Sequence, residues 1–432
     1  MLNFNKHINQ IKRGGVKVVV KKLISFIYLI FQIPIYLISI PMIVIIRLIR
    51  PWFLIRWQQL ASSRIGHFSK EIELYCCKRD AEINTPPQRH VDFFYLKKLV
   101  CNKQLEKMWR RCLIILPRWL LHPLFRVNRF INIFIPNGNY HEIVKPNDSQ
   151  RDIHNLLEKF QPHINFTNEE EHKGRRILTE FGVPEKAKFV CLNVRDSAYL
   201  DRQKEYSPTD WSYHNYRNAD INRYVLAAEE LARRGYYVFR MGAKIKKPLI
   251  SSNKKIIDYA TSGKRSEFMD IYLGAKCRFC LSTGSGWDEI PSTFRKPMAY
   301  TNIVPIGMMI THDKKSLIII KHHKHVKYKK KLTISKIFSL NVAISLTSGE
   351  YEKNEIELNE NSPEEIRDLV IEMDDRLNGN WNKNKEDLLL QEKFWMIWKK
   401  NIKRLNINVP MHGEIKARIG AKYLRENQDW IK

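Results

Sequence analysis

The chain has 432 residues, 44% of them apolar and 11% aromatic, and 74 Lys+Arg against 45 Asp+Glu give a formal charge of +29. That length holds two ordinary domains with real cores, and the aromatic content excludes a globally disordered chain. The charge favours an anionic partner (nucleic acid, an anionic membrane face or phosphorylated ligands), although free use of Lys raises it without any partner.

The seven cysteines, at 76, 77, 101, 112, 191, 277 and 280, are odd in number and partly set in apolar runs. They read as reduced thiols, not as a disulfide framework.

The N-terminus opens on a basic stretch and then runs without a charge from Leu23 to Ile46. The run is long enough to cross a bilayer, and no small-residue cleavage site follows it. Pro34 and Pro41 would kink a spanning helix, and Lys17, Lys21 and Lys22 on one side face Arg47, Arg50 and Arg56 on the other. One span and a bent hairpin returning to the same face both fit; basic flanks on both sides favour the hairpin.

Pro51–Trp57 reads as a strand, followed by a turn at Gly66 and a helix through IELYCCKRD. Val91–Leu96 is a second strand, and the stretch from Cys101 to Tyr140 is either core or a further membrane-facing surface. From Lys188 to Asn302 strands alternate with helices. Strands are predicted at Phe189–Val194, Tyr236–Gly242, Lys255–Ala260, Cys277–Thr283 and Pro297–Asn302. Asp220 caps a helix that Gly235 stops, and Ser266 opens another. This alternation predicts a parallel, doubly wound α/β sheet. The basic stretch from Thr311 to Lys331 reads as a solvated face or mobile loop, or as a contact with anionic lipid or a diphosphate. Ser362–Leu377 is a helix with Pro363 in its first turn, and a second amphipathic helix follows.

In such a sheet ligands bind beyond the carboxyl ends of the strands. The loops there carry Arg195 and Asp196, then Arg240 and Gly242, then Asp258, then Ser282, Thr283, Ser285 and Gly286. Arg195 and Arg240 suit bidentate contact with a phosphate. The Ser-Thr-Gly-Ser-Gly turn can offer N–H groups and hydroxyls to an anion, although the same residues also serve plain turns. Glu289 suits sugar or ribose hydroxyls. His214, Tyr216 and Arg217, in the loop before Asp220, either hold a substrate or pack the loop down. His67 and Glu73 are candidate general bases from the N-terminal domain. No phosphate-loop, dinucleotide or zinc motif occurs, and no Asp-x-Asp follows a strand, so neither metal nor cofactor is expected.

The stretches SSRIGHFSKEIELYCCKRD, VCLNVRDSAYL, DWSYHNYRNADINRYVLAAEELARRGYYVFRMG, DIYLGAKCRFCLSTGSG and SPEEIRDLVIEM resemble a largely uncharacterised bacterial glycosyltransferase family of surface-polysaccharide gene sets. The resemblance implies a GT-B-like α/β fold of two Rossmann-type doubly wound domains. It divides the chain into a basic N-terminus and membrane segment (1–50), an acceptor domain (51–180), a donor domain (181–345) and C-terminal helices (346–432). It also implies a nucleotide-sugar donor and a lipid-linked or polysaccharide acceptor. Asn193–Asp196 is similar to the His-x-Arg motif of fucosyltransferase-like enzymes; Asn193 replaces the His, so only the phosphate contact of Arg195 carries over. With the apolar run at 23–46, the expectation is an enzyme on the cytoplasmic face of the inner membrane, touching its lipids and no nucleic acid. The rival reading is a non-catalytic glycan-binding scaffold.

Overall fold

A computed structural model of the chain describes residues 20, 23, 33–135, 138–143, 151–203, 211–382, 384–405 and 412–432. The chain divides into two compact units. The smaller takes Met1–Ala61, Thr85–Leu99 and Leu113–Val144; the larger takes Ser62–Asn84, Val100–Cys112 and Lys145–Lys432.

The smaller unit holds a helix over 33–49, strands β1 (Leu54–Leu60), β2 (His90–Leu96) and β3 (Ile114–Ile115), and the helix Arg118–Phe134. The strands are parallel in the order β1-β2-β3, with Leu54 opposite His90 and Leu60 opposite Leu96. Arg56 and Asp92 pair across the first two strands at 2.6 Å. Ile43 of the first helix meets Trp57, Tyr95, Leu121, Leu124 and Val127 in one small core.

The smaller unit is not the continuous stretch 51–180. Among the described residues this unit has three strands, and segments 62–84, 100–112 and 145–180 belong to the larger unit. Their apolar residues explain why. Leu74 and Cys77 cluster with Leu156 and Leu157, and Phe166 stacks against Phe268, Tyr272 and Phe294 of the larger unit.

Of the apolar run at 23–46, residues 24–32 lie outside the described residues. No described helix is long and apolar enough to cross a membrane.

The larger unit is built on β4 (Phe189–Asn193), β5 (Tyr237–Arg240), β6 (Ile256–Ile257), β7 (Cys280–Ser282), β8 (Met298–Ile303) and β9 (Leu317–Ile320). An antiparallel pair, β10 (His322–His325) with β11 (Ile356–Asn359), stands apart, and β12 (Arg418–Ile419) closes the sheet edge. The main sheet is parallel throughout, in the order β12-β9-β8-β7-β4-β5-β6. The connections reverse direction between β4 and β7, which opens a crevice at their carboxyl ends.

The strands are buried on both faces, as the near-continuous apolar runs FVCL and LIII require. β9 lies inside the stretch read as a basic solvated face, because LIII supplies a full buried strand between its lysines. Cys191, Cys277 and Cys280 are free thiols in the core. The C-terminal helices Pro363–Asn378 and Lys385–Ile402 bury Leu369, Met373, Phe394 and Trp398 in the same core.

Candidate functional site

The crevice between β4 and β7 opens into a cavity of about 440 Å³, within the range that small-molecule sites occupy. Every lining residue belongs to the larger unit.

The turn after β7 is held from within. Asn193, the last residue of β4, donates through Nδ2 to Ser285 Oγ and to Asp288 Oδ1, both at 2.7 Å. Ser282 Oγ donates to the same Asp288 oxygen at 2.6 Å, and the Ser285 N–H to its second oxygen at 2.5 Å. Burial pushes the Asp288 carboxyl up to about 6 despite these donors. Thr283 Oγ1 accepts the Arg195 N–H at 2.9 Å. Gly284 has φ +77, a conformation that favours glycine, and its carbonyl accepts from Arg217 at 2.5 Å. The expectation that this turn presents its hydroxyls and N–H groups to an anion is therefore corrected. Ser282 and Thr283 are buried and spent on the turn, and the N–H groups of Gly284, Ser285 and Trp287 already have acceptors. Ser285 and Gly286 alone of the four predicted turn residues line the cavity.

Above this turn sits the short π-helix His67–Glu71, which runs into the helix Ile72–Asp80. Gly66 permits the approach: a Cβ there would stand 2.9 Å from the Gly286 carbonyl oxygen. Ser69 Oγ donates to the Glu289 carbonyl at 3.1 Å and bonds Thr293 at 2.8 Å. The docking brings His67 and Lys70 to the cavity. His67 Nδ1 lies 2.5 Å from Glu71 Oε1, so a carboxylate orients the ring. Lys70 pairs with Glu289 at 3.0 Å.

The walls are rich in positive charge. Arg64, Lys70, Arg195, Arg217, Lys244 and Arg265 all line the cavity. Lys70 is neutralised by Glu289 and Arg265 by Asp270. Among the described residues, Arg64, Arg195, Arg217 and Lys244 form no ion pair. Burial, then the charge of Arg217, lowers the Arg195 pKa to about 10. Asp196, its chain neighbour, spends its oxygens on the N–H groups of Ala198 (2.9 Å) and Lys246 (2.7 Å).

A flat aromatic wall completes the lining. Trp211 and His214 stack with ring centroids 6.1 Å apart and planes at 12°, and the Arg64 guanidinium stands 5.0 Å over the Trp211 ring. Burial and the charges of Arg195, Arg217 and Arg64 lower the His214 pKa to about 4, so this imidazole is neutral at pH 7. Arg195 Nε, Trp211 Nε1 and His214 Nδ1 are buried without a hydrogen-bond partner among the described residues. Such orphans are rare in folded proteins, and three in one cavity lining mark a place for a polar ligand.

The cavity thus brings together His67, Arg195, Asp196, Arg217, Gly242, Ser285, Gly286 and Glu289. Arg240 and Asp258 stand outside its lining. Arg240 is buried behind Gly242, where a Cβ would come within 3.3 Å of its Nη1, and it faces the charges of Asp258 and Asp196. Asp258 accepts the Leu249 N–H at 2.9 Å.

Glu73 is also elsewhere. It is fully buried with Arg295 at 2.5 Å and His163 Nδ1 at 3.0 Å, while His163 Nε2 reaches Asp80 at 2.8 Å. Glu73, Cys77 and His163 are close enough to hold a metal ion, but the Arg295 guanidinium already occupies the carboxylate. Glu73 as a base for the cavity is corrected accordingly.

The sequence reading passed over Arg64, Lys70, Lys244 and the Arg265–Asp270 pair. Lys70 was findable, since it follows His67 by three residues and shares its helical face.

No family model and no curated protein matches this chain. Among solved structures it is similar to a glycosyl transferase of family 9 from Veillonella parvula DSM 2008. The identity is 12% and the TM-score 0.34, over 57% of this chain and 79% of that one. It is similar at the same TM-score to the ADP-heptose LPS heptosyltransferase II of E. coli, at 13% identity over 58% of this chain and 86% of that one. Likeness at this level leaves the functional reading to the cavity itself.

Proposed function

We propose that the protein is a glycosyltransferase that moves a sugar from a nucleotide-sugar donor to a lipid-linked or polysaccharide acceptor. Its setting in this reading is the cytoplasmic face of the bacterial inner membrane, attached by residues 23–46, in the building of surface polysaccharide such as O-antigen or capsule. The carrying observation is the pair of half-buried arginines, Arg195 and Arg217, which form no ion pair among the described residues at the switch point of a parallel sheet. Two neighbouring cations withdrawn from water are costly unless an anion joins them, and a diphosphate supplies that charge.

In this reading Arg195 and Arg217 grip the donor diphosphate, with Arg64 and Lys244 adding charge from the walls. Trp211 and the neutral His214 offer a flat face to the nucleobase. In an inverting transfer, His67 takes the proton of the acceptor hydroxyl as its oxygen bonds the anomeric carbon. The bond from that carbon to the diphosphate breaks, and the electron pair leaves with the phosphate oxygen, where the arginines meet the growing charge. Glu71 holds the His67 ring.

The test is a thermal-shift screen of detergent-solubilised full-length protein against UDP-, GDP-, TDP-, CDP- and CMP-sugars. Stabilisation by one nucleotide class, lost in Arg195→Ala, is the expected result. Equal stabilisation of wild type and Arg195→Ala would remove the donor assignment.

A further inference from the structure

The helix Arg118–Phe134 in the smaller unit, RWLLHPLFRVNRFINIF, contains no carboxylate. Its inner face buries Leu121, Leu124 and Val127. Its outer face is not the polar surface that a solvated helix presents. Trp119 is 58% exposed, Phe130 63%, Ile133 73% and Phe134 71%. Among these stand Arg118, Arg126 and Arg129, and the first two form no ion pair among the described residues; Arg129 pairs with Glu142 at 2.9 Å. Arg118, His122, Arg126 and Phe130, together with Tyr95, line an open groove of about 380 Å³. Burial, then the neighbouring charges of Arg118 and Arg126, lowers the His122 pKa, and no Asp or Glu lines the groove among the described residues.

The helix over 33–49 continues this surface. Leu37, Ile38, Ile45 and Leu48 are exposed on it. Its Arg47 donates to Asn128 Oδ1 and O and to the Ile135 carbonyl at 3.0–3.1 Å, which ties the two helices together. An apolar face that mixes aromatic residues with arginines, has no acid of its own and is fastened to the end of a bilayer-length apolar run is the pattern of a helix lying in the membrane interface.

We infer that the helix Arg118–Phe134 lies in the lipid interface as a second, non-spanning membrane contact, with Arg118 and Arg126 on the phosphates of anionic lipids and Trp119, Phe130, Ile133 and Phe134 among the acyl chains. The inference rests on the membrane attachment proposed above and is independent of sugar transfer.

Full-length protein is reconstituted into phosphatidylcholine vesicles with and without phosphatidylglycerol, in which some lipids carry bromine near the headgroup. Flotation of the vesicles reports attachment as such. Quenching of tryptophan emission, compared between wild type and Trp119→Phe, reports this helix. The expected result is a quenched component in wild type that is missing in Trp119→Phe and larger with phosphatidylglycerol. The double change Arg118→Gln and Arg126→Gln should weaken the phosphatidylglycerol dependence of that component by about 30-fold in apparent lipid affinity. Arg126 is exposed and Arg118 half-buried, and an unchanged unfolding midpoint checks that the double variant folds. Equal quenching in floating wild type and Trp119→Phe overturns the inference while sparing attachment; failure to float overturns attachment itself. Stabilisation of detergent-solubilised protein by inorganic phosphate, lost in the double variant and without Trp119 quenching in vesicles, would give the groove to a soluble anion instead.

Discussion

Two clusters in the larger unit each join a histidine, a carboxylate and arginine, and they treat charge in opposite ways. Around His163, the carboxylates of Glu73 and Asp80 and the guanidinium of Arg295 satisfy one another with little room left. Around His67 the carboxylate of Glu71 orients the ring, and Arg195 and Arg217, which line the same cavity, form no ion pair among the described residues. The first arrangement is closed and holds helix Ile72–Asp80 to segment 160–163 and the Arg295 turn. The second is open, with its arginines facing a cavity. Residue types alone do not separate the two; neutralisation does.

The comparison is broken most forcefully at Glu73. Glu73→Ala leaves Arg295 buried without its partner, and we expect a loss of about 3–5 kcal/mol in unfolding free energy by denaturant titration. A loss under about 1 kcal/mol, the range of an exposed pair, would mean that the cluster is wet rather than closed. At the open cluster the effects move from stability to turnover. His67→Ala should slow transfer by about a hundredfold to ten-thousandfold with donor binding retained, and loss of binding with unchanged turnover at saturation would end its role as base.

Arg195→Ala should weaken donor binding by about 30-fold or more in a titration, while the unfolding midpoint stays level or rises. A clear drop in that midpoint would move Arg195 to the structural side of the comparison. The smallest effect is one of pH. The partners of His163 raise its pKa to about 10, above the ordinary 6.5. The stability it contributes is therefore complete below pH 6.5 and is lost as pH rises through about 10. The difference in denaturation midpoint between wild type and His163→Gln should shrink across that window, and a constant difference would show that the imidazole is not charged there.

Much of the larger unit is legible in the sequence, because buried parallel strands write themselves as apolar runs and their helices begin at capping residues. Asp220, Ser266 and Ser362 cap helices as read. The two-residue β12 is illegible, since it gains its place only by pairing with β9. At the site, the rule that ligands gather beyond strand ends points to Arg195, Asp196 and Gly242, which line the cavity. It overreached at Arg240 and Ser282, which are the last residues of their strands and point into the protein. Glu73 was misplaced for a helical reason. Glu71 follows His67 by one turn and shares its side, whereas Glu73, two residues on, faces the opposite way. The un-neutralised state of Arg217 and Arg64 has no sequence signature at all; it depends on which acids the fold brings near.

The chain passes between its two units at residues 62, 85, 100, 113 and 145. Segment 62–84, which carries His67, is thus written in the gene between two strands of the smaller unit although it folds with the larger. No single crossover can exchange the larger unit whole. A recombination near residue 145 would import a new main sheet and keep the resident His67, so relatives arising that way would change Arg195 and Arg217 sooner than the histidine that shares their cavity.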